Sequence, residues 1–478
     1  MMLKKVLRKI LWLIIAISLL SFSSCNKTSQ DVNPTIDFDL AKIKERGKLV
    51  ALTGYNAYSY FVYRGKPMGF EYDLVKKLAD HLGVGLEIKV VREIDKMFEM
   101  LNNGEGDIIA FNLTVTKERA QQVAFTRHHN TTRQVLVQRR PQNWRDIKMH
   151  QIERRIIRNP IELEGKTVYL RNGSAYVNRM KNLSEEIGGD INLIEAPVDV
   201  TIEDLIRMVA DGQIDYTISD DNIARLNQAF FANLDIATYV SFPQRIAWAV
   251  RKNAPELLDS INVWIDQMRK TPDYYVIYNK YYQNREAYKN RIKSDYFLSV
   301  GGKISQFDDL IKKYATELNW DWRMLASLIY QESRFNTDVS SWAGARGLMQ
   351  VMPQTASMYG VEDLEDPVQS LKAGVSYLDY LDKFWLNMVP DSSERVKFVM
   401  ASYNIGPGHI IDARNLAEKY GADPLVWSGN VEKYLLKKSN EKFYNDKIVK
   451  SGFAKGTETV RYVKEVLARY NHYKHFVS

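Results

Sequence analysis

The chain has 478 residues, 45% of them hydrophobic and 26% charged, which excludes extended disorder and is too long for one ordinary core, so two or three domains are expected. Its 66 lysines and arginines against 58 acids leave a net charge of +8, but the two signs are interspersed along the chain. Charge alone therefore gives no case for nucleic acid, and other anionic surfaces fit as well. A single cysteine excludes an internal disulfide.

Residues 1–25 read as an export signal. Lys4, Lys5, Arg8 and Lys9 form a basic start, and the apolar run ILWLIIAISLL is too short for an ordinary transmembrane span. Small residues then lead to FSSC, an ending that resembles a bacterial lipoprotein box with Phe22 where such boxes prefer Leu. The resemblance implies lipidation of Cys25 and anchoring to a membrane; a plain signal peptide with a chance cysteine is the alternative. Residues 26–45 begin polar and aperiodic, NKTSQDVNPTIDFDL, as a tether does. Asn26 after Cys25 carries no inner-membrane Asp signal; which membrane holds the lipid stays open, with the outer membrane, facing the periplasm, as the expectation.

From Arg46 the pattern alternates short β-like runs with helices: KLVALTGY, YDLVKKLADHLG, LEIKVV, IDKMFEMLNNG and GDIIAFN. Strands rich in Val, Ile and Leu separated by helices predict βαβ units and a mostly parallel sheet. The alternation resumes at KTVYLRNG, INLIEA, VTIEDLIRMVADGQ and DYTISDD, so two α/β lobes are expected. The segments GFEYDL at 69–74, GDIIAFNLTVTKERA at 106–120 and GQIDYTISDD at 212–221 resemble the family 3 periplasmic solute-binding proteins across residues 46–285.

That resemblance implies an amino acid or muropeptide held between two hinged lobes. Arg119, following Thr116, would grip its carboxylate with a bidentate fork, and Asp220 would hold its ammonium, with Asp221 as a rival register. The chain departs from the family where YNAYSYFVY replaces the aromatic-Pro-Pro segment after the first strand. A basic stretch at 139–158 falls where the chain would cross between lobes and reads as a solvated helix rather than a polyanion site. Residues 286–304 read as a linker, with Gly301 and Gly302 as a hinge and Ser305 with Asp308 as a helix-start box.

In the last part, Asp321 is placed to cap a helix whose apolar residues Met324, Leu325, Leu328 and Ile329 recur at helical spacing. Glu332 lies four residues beyond Leu328 and three beyond Ile329, on their face. A carboxyl held among aliphatic side chains loses hydration of its anion, so its pKa rises toward neutrality and Glu332 becomes a general-acid candidate. Gly344 and Gly347 allow close backbone approach to a ligand, and Gln350 offers an amide donor and acceptor.

The ordered blocks ESRF, GARGLMQVMPQTA, ASYNIG at 401–406 and ETVRYV at 458–463 resemble the lysozyme-like catalytic domain of the soluble lytic transglycosylase family, across residues 305–478. The resemblance implies a mainly α, lysozyme-like domain after the two-lobed α/β module. It also implies that Glu332 is the sole acid and base acting on the β-1,4 bond between N-acetylmuramic acid and N-acetylglucosamine. Glu332 would protonate the leaving oxygen, the N-acetyl group would assist, and the C6 hydroxyl would then give up its proton, leaving a 1,6-anhydro sugar with no water, metal or cofactor consumed. Family positions lining the sugar cleft fall on Ser341, Gln350, Met352 and Tyr403. The Tyr403 hydroxyl is expected at Glu332 or the substrate, Tyr462 is open between packing and cleft contact, and Asp338 is read as a solvated loop residue.

Together these readings point to a lipid-anchored enzyme that cleaves peptidoglycan glycan strands and carries an N-terminal ligand-binding regulatory module. One alternative is a lipid-anchored receptor whose C-terminal domain only binds glycan, although a binder has no need of Glu332. Another is a hydrolase like the goose-type lysozymes.

Overall fold

A computed structural model describes Ile36 and residues 38–198, 200–294, 297–298 and 303–477. Cys25 with the expected export signal, and Gly301 and Gly302 of the expected hinge, lie outside the described residues.

The first lobe is built on the strand Lys48–Thr53, which runs parallel to Gly85–Val90 on one side and to Ile108–Thr114 on the other. Leu49, Leu52, Ile108 and Ile109 are fully buried, as expected for strands covered on both faces by crossover helices such as Phe70–Leu82 and Ile94–Asn102. The second lobe repeats the plan, with Thr167–Leu170 parallel to Asn192–Glu195 and to Tyr216–Asp220.

Each sheet also has an antiparallel side. Gln244–Val250 runs against Ile108–Thr114, and Gln134–Arg139 runs against Tyr216–Asp220. These two strands follow the crossings between lobes, one at Arg133 and one at residues 241–243. They enter without a crossover helix, so nothing imposes the parallel direction. The basic stretch 139–158 lies past the first crossing and inside the second lobe, not on the crossing. Only Met149–Glu153 of it is α-helical. Several of its cations have local partners: Arg139 pairs with Asp215 at 3.1 Å, Arg158 pairs with Asp235 at 2.6 Å, and Arg140 and Arg145 lie over the Trp144 ring.

After the linker the chain is helical. Its main helices are Asp308–Glu317, Trp322–Ser333, Pro367–Leu386, Ser392–Ile405, Pro407–Lys419 and Thr457–Phe476. Asp321, Asp366 and Asp391 each accept a backbone N–H at a helix start, which satisfies donors that the helix itself leaves unpaired. Ser305 and Asp308 do bond each other, at the first residue of Asp308–Glu317. The helix carrying Glu332 lies along the C-terminal helix, where the Ser327 hydroxyl donates to the Val466 carbonyl at 2.7 Å.

The far end of the C-terminal helix docks on the first lobe. The Tyr473 hydroxyl donates to the Gly65 carbonyl at 2.8 Å, His472 hydrogen-bonds the Tyr60 hydroxyl, and Phe476 meets the Tyr55 ring edge-on at 5.7 Å. Gly65 turns the hairpin between Phe61–Tyr63 and Lys66–Met68 at φ +72°, where a Cβ would sit 2.7 Å from the Tyr473 hydroxyl. Glycine is needed there for both reasons. The aromatic segment YNAYSYFVY therefore serves two surfaces, with Tyr58 facing the gap between lobes and Tyr60 facing the C-terminal helix.

Candidate active site

Glu332 occupies the last turn of Trp322–Ser333, which stops where Arg334 and Phe335 both take left-handed backbone, φ +55° and +63°. Leu325, Leu328 and Ile329 on the same helix are fully buried, and Glu332 itself is half-buried. The buried Tyr462 hydroxyl donates to Glu332 Oε1. Burial pushes the carboxyl up to about 7, against the opposing pull of the Tyr462 hydrogen bond, and no neighbouring charge adds to either. A carboxyl in this state is both a competent acid and a competent base near neutral pH. Burial and the Glu332 charge hold the Tyr462 hydroxyl well above its ordinary pKa, so it stays a donor.

Tyr462, for which the sequence allows either packing or cleft contact, takes the place at the carboxyl expected of Tyr403. Tyr403 donates to the Met349 carbonyl at 2.7 Å, and it is Tyr462 that bonds the carboxyl. Tyr403 is nevertheless near, since the Glu332 charge helps raise its hydroxyl. Gln350, at φ +48°, donates its amide to the Val339 and Gly347 carbonyls at 2.8 and 3.0 Å, so the donor expected to meet a sugar holds the loop instead. The Ser341 hydroxyl accepts from Ala345 N–H at 3.0 Å within the same loop, and Met352 is 43% exposed.

Gly347 serves packing rather than ligand approach, because a Cβ there would overlap the Leu364 carbonyl oxygen; Gly344 has open space around it. Asp338 is exposed and accepts from the Thr337 hydroxyl. Sequence reasoning missed Arg469, which donates to the Ser327 carbonyl at 3.1 Å and to Gln331 Oε1 at 2.9 Å and lies 4.3 Å over the Tyr330 ring. Its signal was available, because Arg469 follows Tyr462 by seven residues and shares its helix face.

Arg119 and Asp220 line one cavity between the lobes, together with Tyr58, Phe111, Arg171 and Tyr176. Arg119 does not present a free fork, because its guanidinium donates to the Thr114 carbonyl of the first lobe and the Gly173 carbonyl of the second, at 3.0 and 2.9 Å. Asp220 is buried; its Oδ2 accepts from Asn112 across the lobes at 2.9 Å and its Oδ1 has no partner. Burial raises this carboxyl to about 7. The cavity holds about 30 Å³, room for roughly one water, so the lobes must part to admit an amino acid. Asp221, the rival register, is bonded by Thr132 at 2.9 Å and does not line the cavity.

Residues 48–284 match the family of bacterial extracellular solute-binding proteins, family 3, and residues 309–426 match the transglycosylase SLT domain. A relative from Desulfosudis oleivorans, named membrane-bound lytic murein transglycosylase F, is 35% identical over 469 residues, covering 98% of this chain and 97% of the relative. Relatives of the same name from Pseudomonas fluorescens and Photobacterium profundum are 32% and 30% identical; they cover 90% and 95% of this chain and 86% and 84% of their own. With both modules in one order and likeness along nearly the whole length, the chain belongs to the membrane-bound lytic murein transglycosylase F family.

Proposed function

We propose that this lytic murein transglycosylase cleaves the β-1,4 bond between N-acetylmuramic acid and N-acetylglucosamine with Glu332 as its only acid and base. The observation that carries the proposal is a lone carboxyl poised near neutrality, bonded by Tyr462 and influenced by no second carboxylate. Most glycosidases divide the work between two carboxyl groups. With one, the substrate must supply the second nucleophile.

Tyr462 occupies Oε1, which leaves Oε2 to carry the proton. That proton passes to the bridging oxygen as the bond from C1 to that oxygen breaks, and the N-acetyl group steadies the positive charge at C1. The Glu332 carboxylate then takes the proton of the C6 hydroxyl as C6 oxygen bonds C1. Glu332 ends as it began, and no water enters. Ser341, Met352, Tyr403 and the free oxygen of Gln350 border the sugars in this reading.

Purified Glu332→Gln protein acting on sacculi tests the assignment, with products read by mass spectrometry. Anhydro-muropeptides should disappear, and their release at the parent rate would remove Glu332 from the chemistry. Parent products heavier by one water would instead make the enzyme a hydrolase.

In the same proposal the chain divides into a ligand-binding module at 46–285 and a catalytic domain at 305–478, joined by 286–304. A ligand bearing carboxylate and ammonium groups enters between Arg119 and Asp220, and what supports this is that both line one cavity and both bridge the lobes. Lipidated Cys25 holds the enzyme on the outer membrane, facing the periplasm. Cys25→Ser should release it from membranes during fractionation, and full retention would remove the anchor.

A further inference from the structure

A cavity of about 650 Å³ lies between the two modules. One wall is the first lobe, through Lys66, Pro67, Tyr72 and Lys76; the other is the Glu332 helix and the C-terminal helix, through Gln331, Arg334, Glu465 and Arg469. Gln331 and Arg334, three residues apart, share a face of the Glu332 helix about a quarter-turn from Glu332 itself, and Glu465 follows Tyr462 by three residues. The cavity thus lies on a neighbouring face of the two helices that carry the Tyr462–Glu332 bond, between them and the first lobe.

Its charges are uneven in how they are used. Lys280 is paired with Asp73 at 2.8 Å, and Arg469 is spent on Ser327 and Gln331. Among the described residues, the side chains of Lys66, Lys76 and Arg334 have no hydrogen-bond or ion-pair partner, and all three are exposed. Asp80, also on the wall, is an unpaired acid. Three free cations with one free acid mismatch a polyphosphate, which would also meet Asp73 and Glu465. They match a short peptide bearing several carboxylates and an ammonium, with Pro67, Tyr72 and Leu86 offering apolar contact to its backbone and side chains.

We propose that this cleft binds the peptide stems of the glycan substrate, so that Lys66 and Lys76 of the N-terminal module and Arg334 of the catalytic domain share one carboxylate-recognising subsite. The proposal rests on the peptidoglycan reading above. It makes the N-terminal module part of substrate recognition, separately from any ligand held between its lobes.

The test compares kcat/KM of the full chain on peptide-bearing glycan strands and on the same strands stripped of peptide by an amidase. In the Lys66→Ser, Lys76→Ser double variant the ratio of the two values should fall about tenfold, the loss expected for one charge-assisted hydrogen bond, and the fall should reside in KM. Arg334→Asn, which keeps a residue tolerant of left-handed backbone, should move the ratio the same way. An unmoved ratio, or an equal fall on both substrates, would overturn the proposal. Glu332→Gln separates the two readings: its activity on both substrates should vanish, and persistence there counts against the catalytic assignment rather than against the cleft.

Discussion

Tyr462 donates the single hydrogen bond that favours the Glu332 anion, so Tyr462→Phe should raise that carboxyl above its value of about 7. With Glu332 as the proposed acid, turnover needs it to arrive protonated and should therefore decline as pH rises through this pKa. In the variant the decline should move about one unit to higher pH, while the plateau rate drops because the carboxyl is less well oriented. A pH profile that loses height without moving would reduce Tyr462 to packing. The same pKa makes a prediction about stability. The folded value lies above the ordinary 4.5, so the stability the group contributes is complete below pH 4.5 and is lost as pH rises through about 7. Glu332→Gln cannot ionise, and at pH 8 it should exceed the parent in stability by on the order of 3 kcal/mol relative to their difference at pH 4. Denaturant melts at both pH values measure this; an identical gap at the two would mean that the carboxyl ionises freely in the fold.

The loop from Arg334 to Met352 is held by backbone that side chains rarely favour, at Arg334, Phe335, Gly344, Gly347 and Gln350. Its two glycines should respond differently to substitution. Gly344→Ala pays only the left-handed backbone cost of about 1–2 kcal/mol, because nothing lies near its Cβ. Gly347→Ala adds overlap with the Leu364 carbonyl and should cost at least about twice as much, with activity falling as the loop shifts under Tyr403 and Met349. Equal melting temperatures for the two variants would contradict that difference. What could be read in advance at this scale was local. The Asp321 cap, the helix leading to Glu332 and the βαβ alternation of both lobes depend on neighbours within a few residues, and period and capping chemistry expose them. The Tyr462 bond to Glu332 spans 130 residues, and nothing in ETVRYV says which tyrosine arrives at the carboxyl. Gln350, Gly347 and Arg119 were legible as residue types suited to a ligand, but the fold spends their donors or their space on its own backbone. The strand direction after each lobe crossing was hidden for a similar reason, since alternation reports a strand and not its partner.

The C-terminal helix joins the two modules, because Tyr462 near its start bonds Glu332 and His472 near its end bonds Tyr60 of the first lobe. Burial, with Arg469, His475 and Lys76 nearby, depresses the His472 imidazole to about 3. The unfolded chain takes up a proton near pH 6.5 that the docked histidine refuses, so this contribution to stability is present above pH 6.5 and is lost as pH falls toward 3. At pH 4 the loss should be on the order of 3 kcal/mol. His472→Gln keeps a partner for Tyr60 without titrating, so its stability gap to the parent should close or reverse by that amount between pH 7 and pH 4. Glu332 acts in the opposite sense, weakening the fold as pH rises, so one helix is pressed from both ends of the pH scale. Ten residues separate Tyr462 from His472, about 15 Å along the helix, far enough for the two effects to add. The Glu332→Gln, His472→Gln double variant should therefore show a pH–stability curve flatter than the parent's on both limbs, by the sum of the single changes. A double variant flatter on one limb only would mean that the docked end and the carboxyl end of the helix are energetically coupled, with the module interface reaching Glu332 through Tyr462.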